Sequence, residues 1–348
     1  MSNSISNGKI LPPVFQQEHH GRPEYAELLG HAPMSRRALL GMAAMAASAG
    51  SPVFASSDAK VLRIGYQKFN TLNILRETGY LETALSKIGI KVEWREFAVT
   101  SLVVEAIVSN ALDFGHASDG IGVFQQAQGK GLAYVAAENP YPKGVGFLVP
   151  RNSNIQNIRD LRGRKIAIGR GYNTHYLLTK ALEKNGLSQA DVEVVFIQMP
   201  SDHIAAYQAG KVDAVGLWDP FLAAAELGTD SRLLFDGSGF TGNRTYHFAL
   251  PGFARQNREV LNILFHELEK ANQWAAGHPD DVALTFSKQL GVPRDVLALA
   301  TKRRRYGLSR LTPDIANEQQ NVADVFFQLR LIPKPIVVSD AFVNIDVT

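Results

Sequence analysis

The stretch "EAIVSNALDFGHASD", Glu105 to Asp119, is echoed 100 residues later by "AAYQAGKVDAVGLWD", Ala205 to Asp219. Each stretch is typical of a helix end, a break, a short apolar strand that begins with an aspartate, and a polar exit. The last aspartate of each stretch is suited to cap a following helix. Two unrelated strand and helix units can also look this similar. The echo therefore leaves two interpretations: ordinary similarity, or two similar lobes whose strand ends face a common cleft.

Strand and helix patterns alternate around this pair. The run Thr71 to Ile88 places Ile74, Leu81, Leu85 and Ile88 on one helical face, and a second helix is predicted from Thr100 to about Ser109. This alternation predicts an α/β fold with parallel strands. The apolar or alternating patterns predict further strands at Val61–Gln67, Ile90–Phe97, Lys165–Gly169, Val192–Ile197 and Thr245–Leu250.

The chain becomes helical from Arg255 onward. A stripe of large apolar residues begins at Leu261 and includes Leu264, Phe265 and Leu268, and the sequence His278-Pro279-Asp280 interrupts it before another helix. The proline-bracketed "LIPKPIVV" near the end is predicted to return to the first lobe.

Residues 1–55 are predicted to be a leader and export signal. After the paired Arg36 and Arg37, the apolar run Ala38–Gly50 is much shorter than the roughly 20 residues that span a bilayer. Small residues around Ala55 complete the pattern of a cleavable signal. The two arginines favour the twin-arginine type, although the general secretory route stays open. The sequence thus predicts a periplasmic protein whose signal is cleaved near Ala55.

The composition of the remaining chain, 56–348, excludes several classes of protein. It holds 32 Lys and Arg against 30 Asp and Glu, so its charge gives no reason to expect a nucleic-acid partner or an anionic membrane. The sequence contains no cysteine, which excludes disulfides, a thiol nucleophile and a lipid anchor on cysteine. His175 and His247 lack the short spacing of a metal site, so we expect no metal and no cofactor. We also expect the protein to be a monomer.

Three predicted helix starts are rich in small polar residues. They lie at Thr100-Ser101, at Ser118-Asp119 and in "GRGYNTHYLL", where Asn173 or Thr174 is expected to cap the helix. Ligands of open α/β sheets settle beyond the carboxyl ends of the strands. Free N–H groups and the positive end of a helix there can hold an oxyanion without a basic side chain. If the three starts converge, they would form an anion-binding site.

Five segments of the chain carry a family resemblance: "LRIGYQK", "LDFGHASD", "GRGYNTHYLLTKAL", "AGKVDAVGLWDPFLAAA" and "ADVFFQLRLIPKPI". Through these segments the chain resembles the aliphatic-sulfonate-binding periplasmic proteins of ABC importers, in the wider group that includes taurine and nitrate binders. The similarity spans about Leu62 to Ile336. The resemblance implies a two-lobed periplasmic binding protein (type II, venus flytrap) with a hinge of two crossing strands and a sulfonate in the cleft. It implies lobe 1 at 56–145, lobe 2 at 146–247 and a return to lobe 1 at 248–348.

The resemblance also implies which residues bind the ligand, an organic anion. In this chain Ser118 is displaced by one place from the family's hydroxyl, and "GYNTH" replaces a serine-rich turn. Tyr172 would shrink the pocket or stack on an aromatic ligand, which leaves an aryl sulfonate or a sulfate ester open. Trp218 would cover the ligand's tail, and Asp219 would receive an amine or, as we favour, cap a helix. The implied ligand-binding residues are Gln67, Thr100, Ser101, Ser118, Asp119, Tyr172, Asn173, Thr174, His175, Trp218 and Asp219.

The resemblance favours a binding component that captures a sulfonate by closing its lobes and delivers it to the membrane permease for sulfur acquisition. Taurine, a sulfate ester, nitrate or a pyrimidine remain alternative ligands, and a carboxylate of Asp119 or Asp219 aimed into the pocket would favour an amine. An enzyme on the same fold is a further alternative, with His175 beside Thr174 and Lys68 as its candidate groups. The charged run "KRRRY", Lys302 to Tyr306, is interpreted as a solvated helix face, with docking to the permease or lining of the anion's approach as alternatives.

Overall fold

The computed structural model describes residues 60–345, so the predicted leader, its paired arginines and its cleavage site lie outside the described residues. The strands in chain order are β1 (Lys60–Tyr66), β2 (Ile90–Glu96), β3 (Phe114–Ser118), β4 (Ala133–Glu138), β5 (Val145–Pro150), β6 (Lys165–Ile168), β7 (Glu193–Phe196), β8 (Ala214–Trp218), β9 (Ser231–Asp236), β10 (Thr245–Ala249) and β11 (Leu308–Ser309).

Twelve α-helices connect or cover these strands within the described range. They are α1 (Thr71–Thr78), α2 (Tyr80–Ser86), α3 (Thr100–Val108), α4 (Asp119–Ala127), α5 (Asn173–Lys184), α6 (Pro200–Gln208), α7 (Phe221–Gly228), α8 (Pro251–Gln256), α9 (Arg258–Gly277), α10 (Pro279–Leu290), α11 (Arg294–Arg303) and α12 (Pro313–Gln328). Across 60–345, no helix is long and apolar enough to cross a membrane.

The strands form two separate sheets, as expected for a two-lobed α/β fold. The first sheet has the order β11-β4-β10-β3-β1-β2, and the second has the order β7-β6-β8-β5-β9. In each sheet a central strand, β3 or β8, lies between a parallel neighbour and an antiparallel one. We call the parts built on these sheets the first lobe and the second lobe.

The two echoing stretches occupy equivalent places in the two lobes. Each supplies the end of a helix, α3 or α6, followed by the central strand, β3 or β8. The Arg63 amide donates to Asp113 Oδ2 over 2.7 Å, and the Lys165 amide donates to Asp213 Oδ2 over 2.8 Å. Matching aspartates thus pin matching strands to their parallel neighbours, and the interpretation of two similar lobes is confirmed at the level of individual contacts.

The chain crosses between the lobes twice, at 139–144 and at 237–244, and the crossings are hydrogen bonded to each other. The Tyr141 amide donates to Gly242 O over 2.8 Å, and Asn243 Nδ2 donates to Tyr141 O over 2.8 Å. The second crossing ends before the predicted boundary at 247, because all of β10 pairs with β3 and β4 in the first sheet. The predicted boundary would have cut this strand in two.

One helical prediction differs from the structure in detail. The helix predicted from Thr71 to Ile88 is broken at Gly79, whose φ of 65° ends α1 and begins α2 in a conformation that glycine adopts easily. Ile88 lies beyond α2 and is exposed, while the other three apolar residues of that face are buried.

Two predictions for the C-terminal part agree with the structure. The predicted apolar stripe on α9 is fully buried. The Val343 N–H group donates to Tyr134 O, so the chain returns to the first sheet after α12, as predicted.

Candidate functional site

A cleft with a volume of about 350 Å³ lies between the two lobes, which is within the range of small-molecule sites. Residues of both sheets and of both crossings line it. Of the eleven predicted ligand-binding residues, eight line this cleft: Gln67, Thr100, Ser101, Ser118, Tyr172, Asn173, Trp218 and Asp219.

The three helix starts that the sequence predicted to be rich in small polar residues converge at this cleft. Helices α3 and α4 begin at the cleft from the first lobe, and α5 begins at it from the second. The capping residues are Val99, Ser118 and Tyr172, and none of their side chains accepts a first-turn N–H group. The capping residue of α5 is therefore Tyr172 and not Asn173 or Thr174 as predicted, although Asn173 Oδ1 accepts the Thr174 N–H group over 2.9 Å. The positive ends of three helices face one space, which suits a single anion.

Gln67, which follows β1, is hydrogen bonded to the loop after β2 and to strand β3 in the first lobe. Its Nε2 donates to Ala98 O over 2.8 Å, and its backbone N–H donates to His116 Nε2 over 3.2 Å. Burial lowers the pKa of His116 to about 3, with the neighbouring His247 acting in the same direction. His116 is therefore neutral near pH 7 and can accept the Gln67 N–H group.

Tyr172 and Trp218 form an aromatic wall on the second lobe. Their ring centroids are 5.5 Å apart and their planes are nearly perpendicular, at 82°. Phe221 extends this wall, with its ring 5.8 Å from that of Trp218. The Tyr172 hydroxyl accepts a hydrogen bond from Gln198 Nε2 over 3.1 Å.

Asp219 caps a helix, as the favoured interpretation predicted. Its Oδ1 accepts the Ala223 N–H of α7 over 3.1 Å and lies 3.1 Å from Arg303 Nη1. Its Oδ2 accepts from the Tyr141 hydroxyl over 2.6 Å. Burial raises the pKa of Asp219 to about 6, although the Arg303 guanidinium opposes this. The side chain is fully buried among these partners, so it is not placed to receive a ligand's amine.

Asp119, Thr174 and His175 do not line the cleft. Asp119 is buried, and its Oδ1 and its carbonyl oxygen are bound by Gly120 N–H and Gln319 Nε2. The Thr174 side chain is buried and its Oγ1 has no hydrogen-bond partner within the described residues. His175 Nδ1 accepts the Gly171 N–H over 3.0 Å, so this ring stabilises the loop before α5 without lining the cleft.

The structure corrects the interpretation of the run "KRRRY" as a solvated helix face. Helix α11 ends at Arg303, and the side chain of Arg304 is only 9% exposed. Arg304 lines the cleft and pairs with Glu138, Nη2 to Oε2, over 2.9 Å. The alternative that this run lines an anion's approach agrees with the position of Arg304.

Sequence analysis also missed other cleft residues because their signals are not local. Arg244 lies on the second crossing, and its guanidinium binds Glu318 Oε2 over 2.9 Å and Glu138 O over 2.8 Å. Lys68, named only as a candidate catalytic group, lines the cleft and pairs with Glu96 over 3.1 Å. Among residues 60–345, no three His, Asp or Glu side chains are grouped to hold a metal ion.

Comparison with known proteins identifies the group to which this chain is related. Residues 76–282 match the family described as NMT1/THI5 like. The periplasmic aliphatic sulphonate binding protein SsuA from Escherichia coli is 31% identical, with a TM-score of 0.77 over 81% of this chain and 91% of that one. The alkanesulfonate-binding protein SsuA from Xanthomonas axonopodis pv. citri, bound to MOPS, is 30% identical, with a TM-score of 0.73 over 82% and 98%. The predicted venus-flytrap fold and the predicted resemblance are thus confirmed, and the chain belongs to the NMT1/THI5-like family, where it is similar to aliphatic-sulfonate-binding periplasmic proteins.

Proposed function

We propose that this protein is the periplasmic substrate-binding component of an ABC importer and captures an organic sulfonate between its lobes. The observation that carries the proposal is the convergence of α3, α4 and α5, from two lobes, on one cleft. Sulfonate oxygens are acceptors, and helix starts present donors. The similarity of this chain to two sulfonate-binding proteins, at 30% and 31% identity, supports the same ligand class.

The cleft favours a sulfonate over the alternative ligands. A four-atom ion such as nitrate would leave most of the roughly 350 Å³ to solvent. An amine such as that of taurine needs a free carboxylate, but Asp219 is buried and Asp119 lies outside the cleft. The cleft carboxylate Glu96 already pairs with Lys68 and accepts from the Tyr66 hydroxyl over 3.1 Å. A sulfonate with an uncharged tail fits these groups best.

We also propose that the protein binds its ligand without reacting with it. His175, a candidate group of the enzyme alternative, is buried and does not line the cleft, and burial lowers its pKa to about 4. Lys68 is held by Glu96 at the cleft, and the sequence offers no cysteine as a nucleophile. In this proposal a monomer carries the sulfonate to a membrane permease, which recognises the closed lobes.

A thermal-shift measurement on the full-length chain tests the proposed function. A sulfonate at 100 times its dissociation constant should stabilise the protein by about 2.7 kcal/mol. For a chain of this size we expect the melting temperature to rise by about 5 °C or more. Alkane and aryl sulfonates are compared with taurine, sulfate esters, nitrate and a pyrimidine. A larger shift with taurine, a sulfate ester, nitrate or a pyrimidine than with every sulfonate that has an uncharged tail would contradict the proposal.

A further inference from the structure

Aromatic side chains line the cleft from both lobes. Tyr172, Trp218 and Phe221 line it from the second lobe, and Phe97 lines it from the first. All four are only partly buried, so each leaves some ring surface to the cleft. A small aliphatic substituent on a bound sulfonate would need an apolar surface in the cleft, but that surface would not need to consist of aromatic rings.

The wall is fixed before any ligand binds. The Tyr172 ring lies directly against the backbone of Gly169, where an added Cβ would be 2.2 Å from Tyr172 Cδ2. Its hydroxyl is held by Gln198, and Trp218 is flanked by the rings of His203 and Phe221. A ligand therefore meets rings whose positions are already set, which lowers the entropy lost on binding.

The orientation of the wall suits a flat ring. Tyr172 and Trp218 lie at 82° to each other, so a planar ligand could stack along one ring and meet the edge of the other. Both offset stacking and edge contact are favourable for aromatic pairs, whereas a saturated ring of the same size gains only its buried area.

The wall also stands where the substituent on a bound sulfonate would lie. Tyr172 is the capping residue of α5, and it lines the same cleft as the first helical residue, Asn173. A sulfonate at this helix start would place the atoms attached to its sulfur beside the Tyr172 ring. A ring bonded directly to the sulfur would reach the wall without a spacer.

We propose that the preferred ligand is an aryl sulfonate, whose ring packs on Tyr172 and Trp218 while its sulfonate faces the helix starts. This inference rests on the proposed function and narrows its ligand class.

Calorimetric titration of the full-length chain with two matched ligands tests the inference. Benzenesulfonate and cyclohexanesulfonate carry the same charge and the same number of carbons, and they differ in the aromaticity of the ring. An aromatic contact should make benzenesulfonate bind about 2- to 12-fold more tightly.

Three variants assign that preference to the wall. Tyr172→Leu removes the ring and should abolish the preference, while Tyr172→Phe keeps the ring and should retain it. Tyr80→Leu, in α2 and outside the cleft, is the matched control and should behave as the unmodified chain. Trp218→Leu gives a second loss-of-ring variant should Tyr172→Leu not fold, and ligand-free melting curves check the folding of each protein.

The outcomes separate this inference from the proposed function. Equal binding of the two ligands, or tighter binding of cyclohexanesulfonate, would overturn the aromatic preference and leave a sulfonate binder. A preference that survives both loss-of-ring variants would overturn the role of the wall. Failure of every sulfonate to bind would overturn the proposed function together with this inference.

Discussion

Arg304, which lines the cleft, forms a buried ion pair with Glu138, and their side chains are 9% and 6% exposed. Burial alone would raise the pKa of Glu138, but Arg304, together with His247 and Thr71, lowers it to about 2. Because removing one partner leaves a buried charge, we expect Arg304→Met to lower the free energy of unfolding by about 3 to 5 kcal/mol. Chemical denaturation at pH 7 measures this loss.

The control for this prediction is Arg151→Met, which breaks a pair with Asp230 whose side chains are 64% and 79% exposed. Such a surface pair should contribute less than about 1 kcal/mol. The pH dependence gives a second readout. The folded-state pKa of Glu138 lies below its ordinary 4.5, so its contribution is present above about pH 4.5 and is lost toward pH 2. The difference between the unmodified chain and Arg304→Met should therefore shrink as the pH falls through this window, and a constant difference would contradict the assignment.

At the scale of elements, α4 and the loop before α5 meet through two glycines. A Cβ on Gly120 would lie 2.6 Å from Gly171 O, a backbone atom that cannot turn aside. Gly120→Ala should therefore push α4 from this loop and displace the helix starts that face the cleft. Overpacking typically costs about 1 to 3 kcal/mol. Because this cost falls on the arrangement in which α4 meets the loop, we expect affinity for a sulfonate to fall about 5- to 160-fold.

Gly277→Ala is the matched control for Gly120→Ala. Gly277 is the last residue of α9, and a Cβ there would meet no atom within 4 Å. This substitution should leave sulfonate affinity unchanged and hold or raise the melting temperature. Calorimetric titration of both variants with a sulfonate measures this difference. Equal affinities would contradict the prediction that the close approach of α4 to the loop positions the helix starts for binding.

Elements could be predicted from sequence where their signals are local. The starts of α3, α4 and α5 follow from small polar residues placed between a strand and an apolar helix pattern. The placement of Arg303 and Arg304 could not be predicted, because their partners Asp219 and Glu138 lie 84 and 166 residues away in the chain. A run of basic residues reports composition, whereas burial depends on which carboxylates the fold brings beside it. The sequence likewise shows that Thr174 and His175 stand at a helix start, but it does not show that neither of them lines the cleft.

At the scale of the whole molecule, a contact between α11 and α7 joins the lobes beside the two crossings. Arg303 reaches from α11 to Asp219 and Glu226 of the second lobe, and Ala223 and Ala224 of α7 belong to the main hydrophobic cluster of the first lobe. The convergence of the helix starts requires the lobes to be together. A contact that holds them together therefore raises the population of the form that can bind.

Arg303→Met tests this coupling, because Arg303 does not line the cleft. The apparent dissociation constant equals the intrinsic value divided by the fraction of the binding form, so a lower closed fraction weakens binding in proportion. We expect weaker sulfonate binding by calorimetry and a larger ligand-free radius of gyration by small-angle X-ray scattering. Exposed Arg305, changed to Met, is the control for loss of a positive charge in the same run. If Arg303→Met alters the melting temperature but neither the affinity nor the radius of gyration, the contact stabilises the fold without biasing the position of the lobes.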